Sequence, residues 1–174
     1  MTKLQHSSKP SSDSAPQVQS VLEKLDQNNL AYAVGLAREL HGLGTFGTSG
    51  PAFDWDFCAR TMVHNMHNSF AYFMLARDHT GYVGAVVGHV EPFFFSPKLL
   101  GIEQAWYVRE GTPRRAAIGM QLMRGFVNWC IDEMQATEVQ SGDIAGIRTV
   151  GVEAIYKRLG FTRYGVIYRY ARTG

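Results

Sequence analysis

The chain has 174 residues, 45% of them hydrophobic and 18% charged, with a formal net charge of +2 at pH 7. That apolar content supplies one full hydrophobic core and excludes a mostly disordered protein, while no apolar run reaches the roughly 20 residues that a membrane-spanning helix needs. The small net charge is unevenly spread: Arg148, Lys157, Arg158, Arg163, Arg169 and Arg172 are opposed only by Glu153, which suits an anionic ligand on the C-terminal half. Nucleic acid is the competing explanation, but no basic run with interleaved aromatics tracks a phosphate backbone.

Residues 1 to about 16, polar and rich in serine and proline, read as a disordered tail, and 17–174 as a single domain. The N-terminus lacks a hydrophobic signal core, and Cys58 and Cys130 fall on the apolar sides of predicted helices, which suggests a soluble, cytoplasmic protein with core thiols. Gln17 to Asp26 can form a first strand, although Val21 to Leu25 would equally suit a helical turn. After Gln27-Asn28-Asn29, where an asparagine can cap, Leu30 to Leu43 reads as a helix with Tyr32, Leu36, Leu40 and Leu43 in a stripe. A glycine-rich loop follows. Phe53 to His67 is the second helix, with Cys58, Thr61, Met62 and Met66 at helical spacing.

Phe70 to Arg77 and Tyr82 to Val90 are apolar runs joined by Asp78-His79-Thr80-Gly81, a hairpin turn sequence. Leu99 to Arg109 makes the next strand. Ala116 to Met134 is a long helix on which Ile118, Leu122, Phe126 and Cys130 repeat. A short strand over Glu138 to Gln140, a helix over Ile147 to Leu159 and a closing strand over Phe161 to Ala171 complete the chain. Hairpins first, then strands alternating with helices, predict a mixed α/β fold with helices on both faces of the sheet.

The stretch Arg114-Arg115-Ala116-Ala117-Ile118-Gly119 lies between a predicted strand end and a helix start. Such a junction presents backbone N–H groups and the positive end of a helix dipole to an anion, while small side chains let a diphosphate approach and an arginine supplies a charge-assisted bond. Further on, Val152, Ile155, Tyr156 and Leu159 share one helical face, Gly160 suits the C-terminal cap, and Phe161 begins a strand pattern.

The first motif resembles the acyl-CoA signature of the GNAT acetyltransferases, [QR]-x-x-G-x-[GA], with Arg114 in the first place, Gly119 in the last, and Ala117 where glycine is usual. The ending Tyr156-Lys157-Arg158-Leu159-Gly160-Phe161 is similar to the family's second signature, Y-x-x-L-G-F. The aromatic run and weakened glycine motif also look like the small GNAT proteins of bacteriophages. The resemblance implies a central mixed, mostly antiparallel sheet of six to seven strands flanked by about four helices. It also implies an acetyl-CoA-dependent N-acetyltransferase that works by direct attack of a primary amine in a ternary complex, with no metal.

By that resemblance the cosubstrate would lie against Tyr107, Val108, Arg109, Arg114, Arg115, Ala116, Ala117, Ile118, Gly119 and Met120. Acyl transfer needs a deprotonated amine, a polarised carbonyl and a protonated leaving thiolate. Glu103 is the candidate base, and strict alternation would put it on one face with Ala105 and Tyr107; Glu91 and His89 are the fallbacks. The resemblance makes Tyr156 the general acid and the backbone N–H of Val108 or a neighbour the carbonyl's donor. Glu103 as a solvated strand-end carboxylate and Tyr156 as a packing residue are the plain alternatives.

Other features are discounted. His64 and His67 share a helical face but lack further ligands. Phe93-Phe94-Phe95 suits the core at a bend, or a homodimer contact, better than acceptor recognition. The loop Ser141 to Val150, with Gly142, Asp143, Ala145, Gly146 and Arg148, could border an acceptor groove, though such loops are usually connectors. Ala117 and the loop Glu110 to Pro113 leave open a noncatalytic module that binds acyl-CoA or a protein. The acceptor amine stays open among small amines, peptide N-termini, lysine and aminoacyl-tRNA.

Overall fold

The computed structural model of the chain describes residues 20–43, 47–48, 50–142 and 149–165. In chain order the elements are β1 (Val21–Lys24), α1 (Leu30–His41), α2 (Trp55–Met66), β2 (Ala71–Asp78), β3 (Gly81–Phe93), β4 (Ser96–Val108), α3 (Arg115–Asn128), a π-helical turn (Trp129–Glu133), β5 (Glu138–Gln140) and α4 (Thr149–Arg158). The strands form one sheet in chain order, antiparallel from β1 to β4 and parallel between β4 and β5. The mixed α/β class is as expected. Among the described residues, however, the sheet has five strands rather than six to seven. Residues 161–165 carry no regular element, and the rest of the expected closing strand lies outside the described residues, as do the N-terminal tail and 143–148.

Local chemistry accounts for the turns. Asp78 Oδ1 accepts bonds from the Thr80 N–H at 2.7 Å and the Thr80 hydroxyl at 2.6 Å, and Gly81 takes φ +120°, so the β2–β3 hairpin closes on the predicted residues. Asn29 stands at the N-cap of α1 but does not cap it. Its Oδ1 accepts from the Asp26 N–H and its Nδ2 donates to the Lys24 carbonyl, which fastens β1 to α1. Asp54 does cap α2, accepting from the Phe57 N–H at 2.8 Å.

Alternation along the strands feeds two cores. Val86, Leu122, Met123, Phe126 and Cys130 pack between the sheet and α3; Leu36, Met62, Phe73, Leu75 and Tyr107 pack between the sheet and α1 with α2. Neighbours Leu75 and Ala76 go to opposite cores. Gly88 lets α3 lie close, since a Cβ there would stand 2.5 Å from the Phe126 ring. The predicted stripes are incomplete: Tyr32 is exposed and packs on Tyr82, and Thr61 is exposed with its hydroxyl donating to the Phe57 carbonyl. Phe94 and Phe95 are each 93% exposed at the β3–β4 turn, so the aromatic run is not core. A hairpin tip has no opposing layer to bury it. Among the described residues no helix is long and apolar enough to cross a membrane.

Two irregularities of β4 shape everything functional. A bulge lies at Gln104, because Gly88 pairs with Glu103 while Val87 pairs with Ala105. It overturns the alternation expected from sequence. Tyr107 opposite Ala85 faces the α1–α2 core, whereas Glu103 opposite Gly88 faces α3. In addition, among the described residues β5 pairs with β4 from Leu100↔Glu138 to Ile102↔Gln140 and then ends, so β4 runs past Ile102 without it on that edge.

Candidate active site

Where β4 leaves β5, a cavity of about 580 Å³ opens along Glu103 to Val108. One end is bounded by the start of α3 at Arg115, Ala116 and Gly119, one side by Gly151, Val152, Ile155 and Tyr156 of α4, and the other end by α1, α2 and Phe53. Parted strands leave backbone groups without a ladder partner. The Arg109 N–H donates to the Val83 carbonyl at 2.8 Å, toward β3, and successive peptide groups alternate sides, so the Val108 N–H and C=O face the gap. Arg115 Nε donates to that carbonyl at 2.8 Å, leaving the Val108 N–H on the same open edge.

Glu103 and Tyr156 meet through a third residue. The Ser141 hydroxyl donates to Glu103 Oε2 at 2.7 Å, and its oxygen lies 2.7 Å from the Tyr156 hydroxyl. A hydroxyl has one proton, so with Ser141 donating to Glu103, Tyr156 is the donor of the second bond. Ser141 follows β5 directly, where the parted strand end delivers it opposite Glu103. The Tyr156 ring also packs on Trp106 at 5.8 Å and on Phe161 at 5.3 Å, which holds its hydroxyl in place. The sequence marks Ser141 only as the edge of a loop; a small polar residue at the carboxyl end of a strand is the available signal. The fallback pair lies apart from this row, with His89 Nε2 3.4 Å from Glu91 Oε2.

The start of α3 turns on Arg114, which takes φ +57° and whose carbonyl accepts from the N–H groups of Ala117 at 2.8 Å and Ile118 at 3.1 Å. Arg115 donates its N–H to Thr112, while Ala116 makes none of these backbone bonds. Along α3 a groove is lined by Arg114, Arg115, Ala116, Ala117, Met120, Gln121, Arg124, Gly125, Asn128 and Arg158, with no carboxylate among them. Arg124 was absent from the sequence-based site because helical spacing alone does not show which exposed arginine borders a groove. Ile118 is buried in the α3 core.

Gly119 lies against Trp106, where a Cβ would sit 3.0 Å from the indole ring, and the buried Trp106 Nε1 has no hydrogen-bond partner among the described residues. A basic, carboxylate-free groove that runs into a slot with an unsatisfied donor fits a diphosphate carrying a slender amide arm. Tyr107 lines the cavity, but its hydroxyl, like Arg109, is tied to Glu39. The Arg109 guanidinium binds both oxygens of Glu39, at 2.7 and 2.9 Å, and the Tyr107 hydroxyl donates to Glu39 at 3.3 Å. Burial, then the Glu39 charge, raises the Tyr107 phenol, and the Arg109 hydrogen bond holds the Glu39 carboxyl below its usual range.

A scan against protein-family models and a search of curated proteins found no match. Solved structures do align. Aminoglycoside N-acetyltransferase AAC(6')-Iy in complex with CoA superposes with a TM-score of 0.71 at 14% identity, covering 91% of this chain and 98% of that one. An aminoglycoside acetyltransferase from an uncultured soil metagenomic sample, in complex with sisomicin, gives 0.64 at 18% identity, covering 89% and 97%. A Trypanosoma brucei acetyltransferase gives 0.64 at 16%, covering 88% and 100%. The chain has the GNAT fold. At such identities the likeness is one of architecture.

Proposed function

We propose that the protein is an acetyl-CoA-dependent N-acetyltransferase that joins an acetyl group to a primary amine by direct attack in a ternary complex. The observation that carries this reading is the hydrogen-bonded row Glu103–Ser141–Tyr156 in the gap between β4 and β5. Support also comes from AAC(6')-Iy, solved in complex with the bisubstrate analogue CoA-S-monomethyl-acetylneamine. Acetyl-CoA, when bound, supplies an activated acetyl thioester. Arg114, Arg115, Arg124 and Arg158 would hold its phosphates, and Gly119, Trp106 and the Val108 N–H would line the path of its arm.

Glu103 takes the proton that the attacking amine loses. Until then Ser141 donates to Glu103 and Tyr156 donates to Ser141. Protonation of Glu103 reverses the row: the carboxylic acid donates to Ser141, Ser141 donates to Tyr156, and the Tyr156 O–H is turned outward. It then gives its proton to the departing sulfur, and a hop along the row restores the Glu103 carboxylate. The balance is one proton from amine to thiol, with no covalent enzyme intermediate.

The test begins with calorimetric titration of acetyl-CoA and of free CoA, followed by a thiol-release assay with amines. Glu103→Gln and Tyr156→Phe should each lower kcat about 100-fold or more, within the range of a lost acid or base, at unchanged affinity for acetyl-CoA. Binding without turnover of any amine would instead support a noncatalytic acyl-CoA-binding module, and activity intact in both variants would remove their assigned roles.

A further inference from the structure

The half of the cavity away from α3 differs in chemistry from the half at its start. Under α1 and α2 it is walled mainly by the apolar Leu36, Leu40, Leu43, Phe53, Met62 and Phe73, with His41 beside them. Phe53 is braced edge-on between His41 at 5.4 Å and Trp55 at 5.4 Å, so this wall is held in shape. Carboxylate charge is withheld from it. Glu39, the acidic residue of α1, has both carboxylate oxygens on Arg109 and a further bond from Tyr107, and it does not line the cavity. Arg38 of the same helix lies over the outer Trp55 ring at 5.2 Å, and His41 Nε2 meets the Pro51 carbonyl at 2.7 Å. Glu103 is the sole carboxylate among the cavity's described lining residues.

We infer that the acceptor is a primary monoamine carried on a compact apolar body, aromatic or branched aliphatic, rather than a polycation. The inference rests on the acetyltransferase reading and names the substrate class of the same site. A molecule with several ammonium groups would have to shed water from each, and an apolar wall returns no counter-charge for that loss. One amine can be met by one carboxylate, Glu103, while its apolar body gains by leaving water against Leu36, Leu40 and Phe53. The protein's net charge of +2 likewise gives a polycation no long-range attraction. In this respect the site differs from what the name of an aminoglycoside acetyltransferase implies for its acceptor.

The experiment compares steady-state kcat/KM for 2-phenylethylamine, isopentylamine, spermidine and sisomicin with the full chain at saturating acetyl-CoA, after calorimetry has measured acetyl-CoA binding. At least a tenfold preference for the two apolar monoamines is expected. Leu40→Glu, at a half-buried wall position, should lower kcat/KM for 2-phenylethylamine at least tenfold with KM for acetyl-CoA unchanged. Phe53→Ser should do the same if the α1 variant fails to fold. Preference for spermidine or sisomicin, or indifference of 2-phenylethylamine turnover to both variants, overturns the inference and leaves the acetyltransferase reading standing. Acetyl-CoA bound but transferred to none of the four amines overturns the inference, and the acetyltransferase reading falls as well if lysine and peptide amines are not acetylated in the same assay.

Discussion

Arg109, immediately after β4, grips Glu39 of α1 through two bonds of 2.7 and 2.9 Å. The pair joins the end of the β4 segment to the helix that roofs the apolar half of the cavity. Both side chains are partly exposed, at 44% and 38%, and solvent screening holds the pair to about 1 kcal/mol or less. Because Arg109 keeps the folded Glu39 pKa below 4.5, the contribution is present above that pH and is lost as pH falls through the folded value. Glu39→Gln should therefore lower Tm by about 2–4 °C at pH 7. The difference from wild type should shrink in denaturation curves taken below pH 4.5; a gap that persists or widens there would exclude the ionic origin.

Ser141 couples base to acid only through its hydroxyl. Ser141→Ala should lower kcat by about 10- to 100-fold while leaving KM for acetyl-CoA unchanged, and Ser141→Thr should recover most of the rate. Solvent isotope effects separate a relay from mere packing. The relay predicts a proton inventory that is curved in wild type and linear in Ser141→Ala; identical inventories would sink it.

Arg114 sits at φ +57°, a conformation that costs a side-chain-bearing residue about 1 kcal/mol or more and glycine little. Arg114→Gly is expected to fold at least as stably as wild type yet lose about tenfold or more in affinity for CoA, the scale of one charge-assisted hydrogen bond. Calorimetry and thermal melting on the same variant make the comparison. Unchanged affinity would move the phosphates away from the start of α3.

Gly88 has no room for a methyl group, with the Phe126 ring and the Ile102 carbonyl 2.5 and 2.6 Å from where a Cβ would be. Gly88→Ala should destabilise by about 1–3 kcal/mol, lowering Tm by roughly 2–12 °C. The same change pushes α3 from the sheet near Glu103, so kcat should fall along with stability. Full activity with unchanged Tm would show that the sheet yields freely at this position.

The strands and helices were legible wherever one apolar face repeats at a fixed period. Ile118, Leu122, Phe126 and Cys130 mark α3 in sequence and are all buried in the structure. The helical run expected to Met134 does end there, but its last turn, Trp129–Glu133, is π-helical, which the apolar repeat does not show. Asp54 caps its helix by a rule that needs only its neighbours, whereas Asn29 reaches back to Lys24 and Asp26 because β1 has brought them within range.

Sequence by itself determined the order and type of most elements, the basic start of α3 and the identity of Glu103 and Tyr156 as chemical groups, since these follow from local periodicity and side-chain chemistry. Tertiary structure decided which face Glu103 occupies, through the Gln104 bulge, and decided that Ser141 stands between it and Tyr156. It also decided that the Tyr107 hydroxyl and the Arg109 guanidinium are both tied to Glu39. A bulge reverses every later side chain of a strand at the cost of one unpaired residue, so the contacts that settle it come from partners far away along the chain.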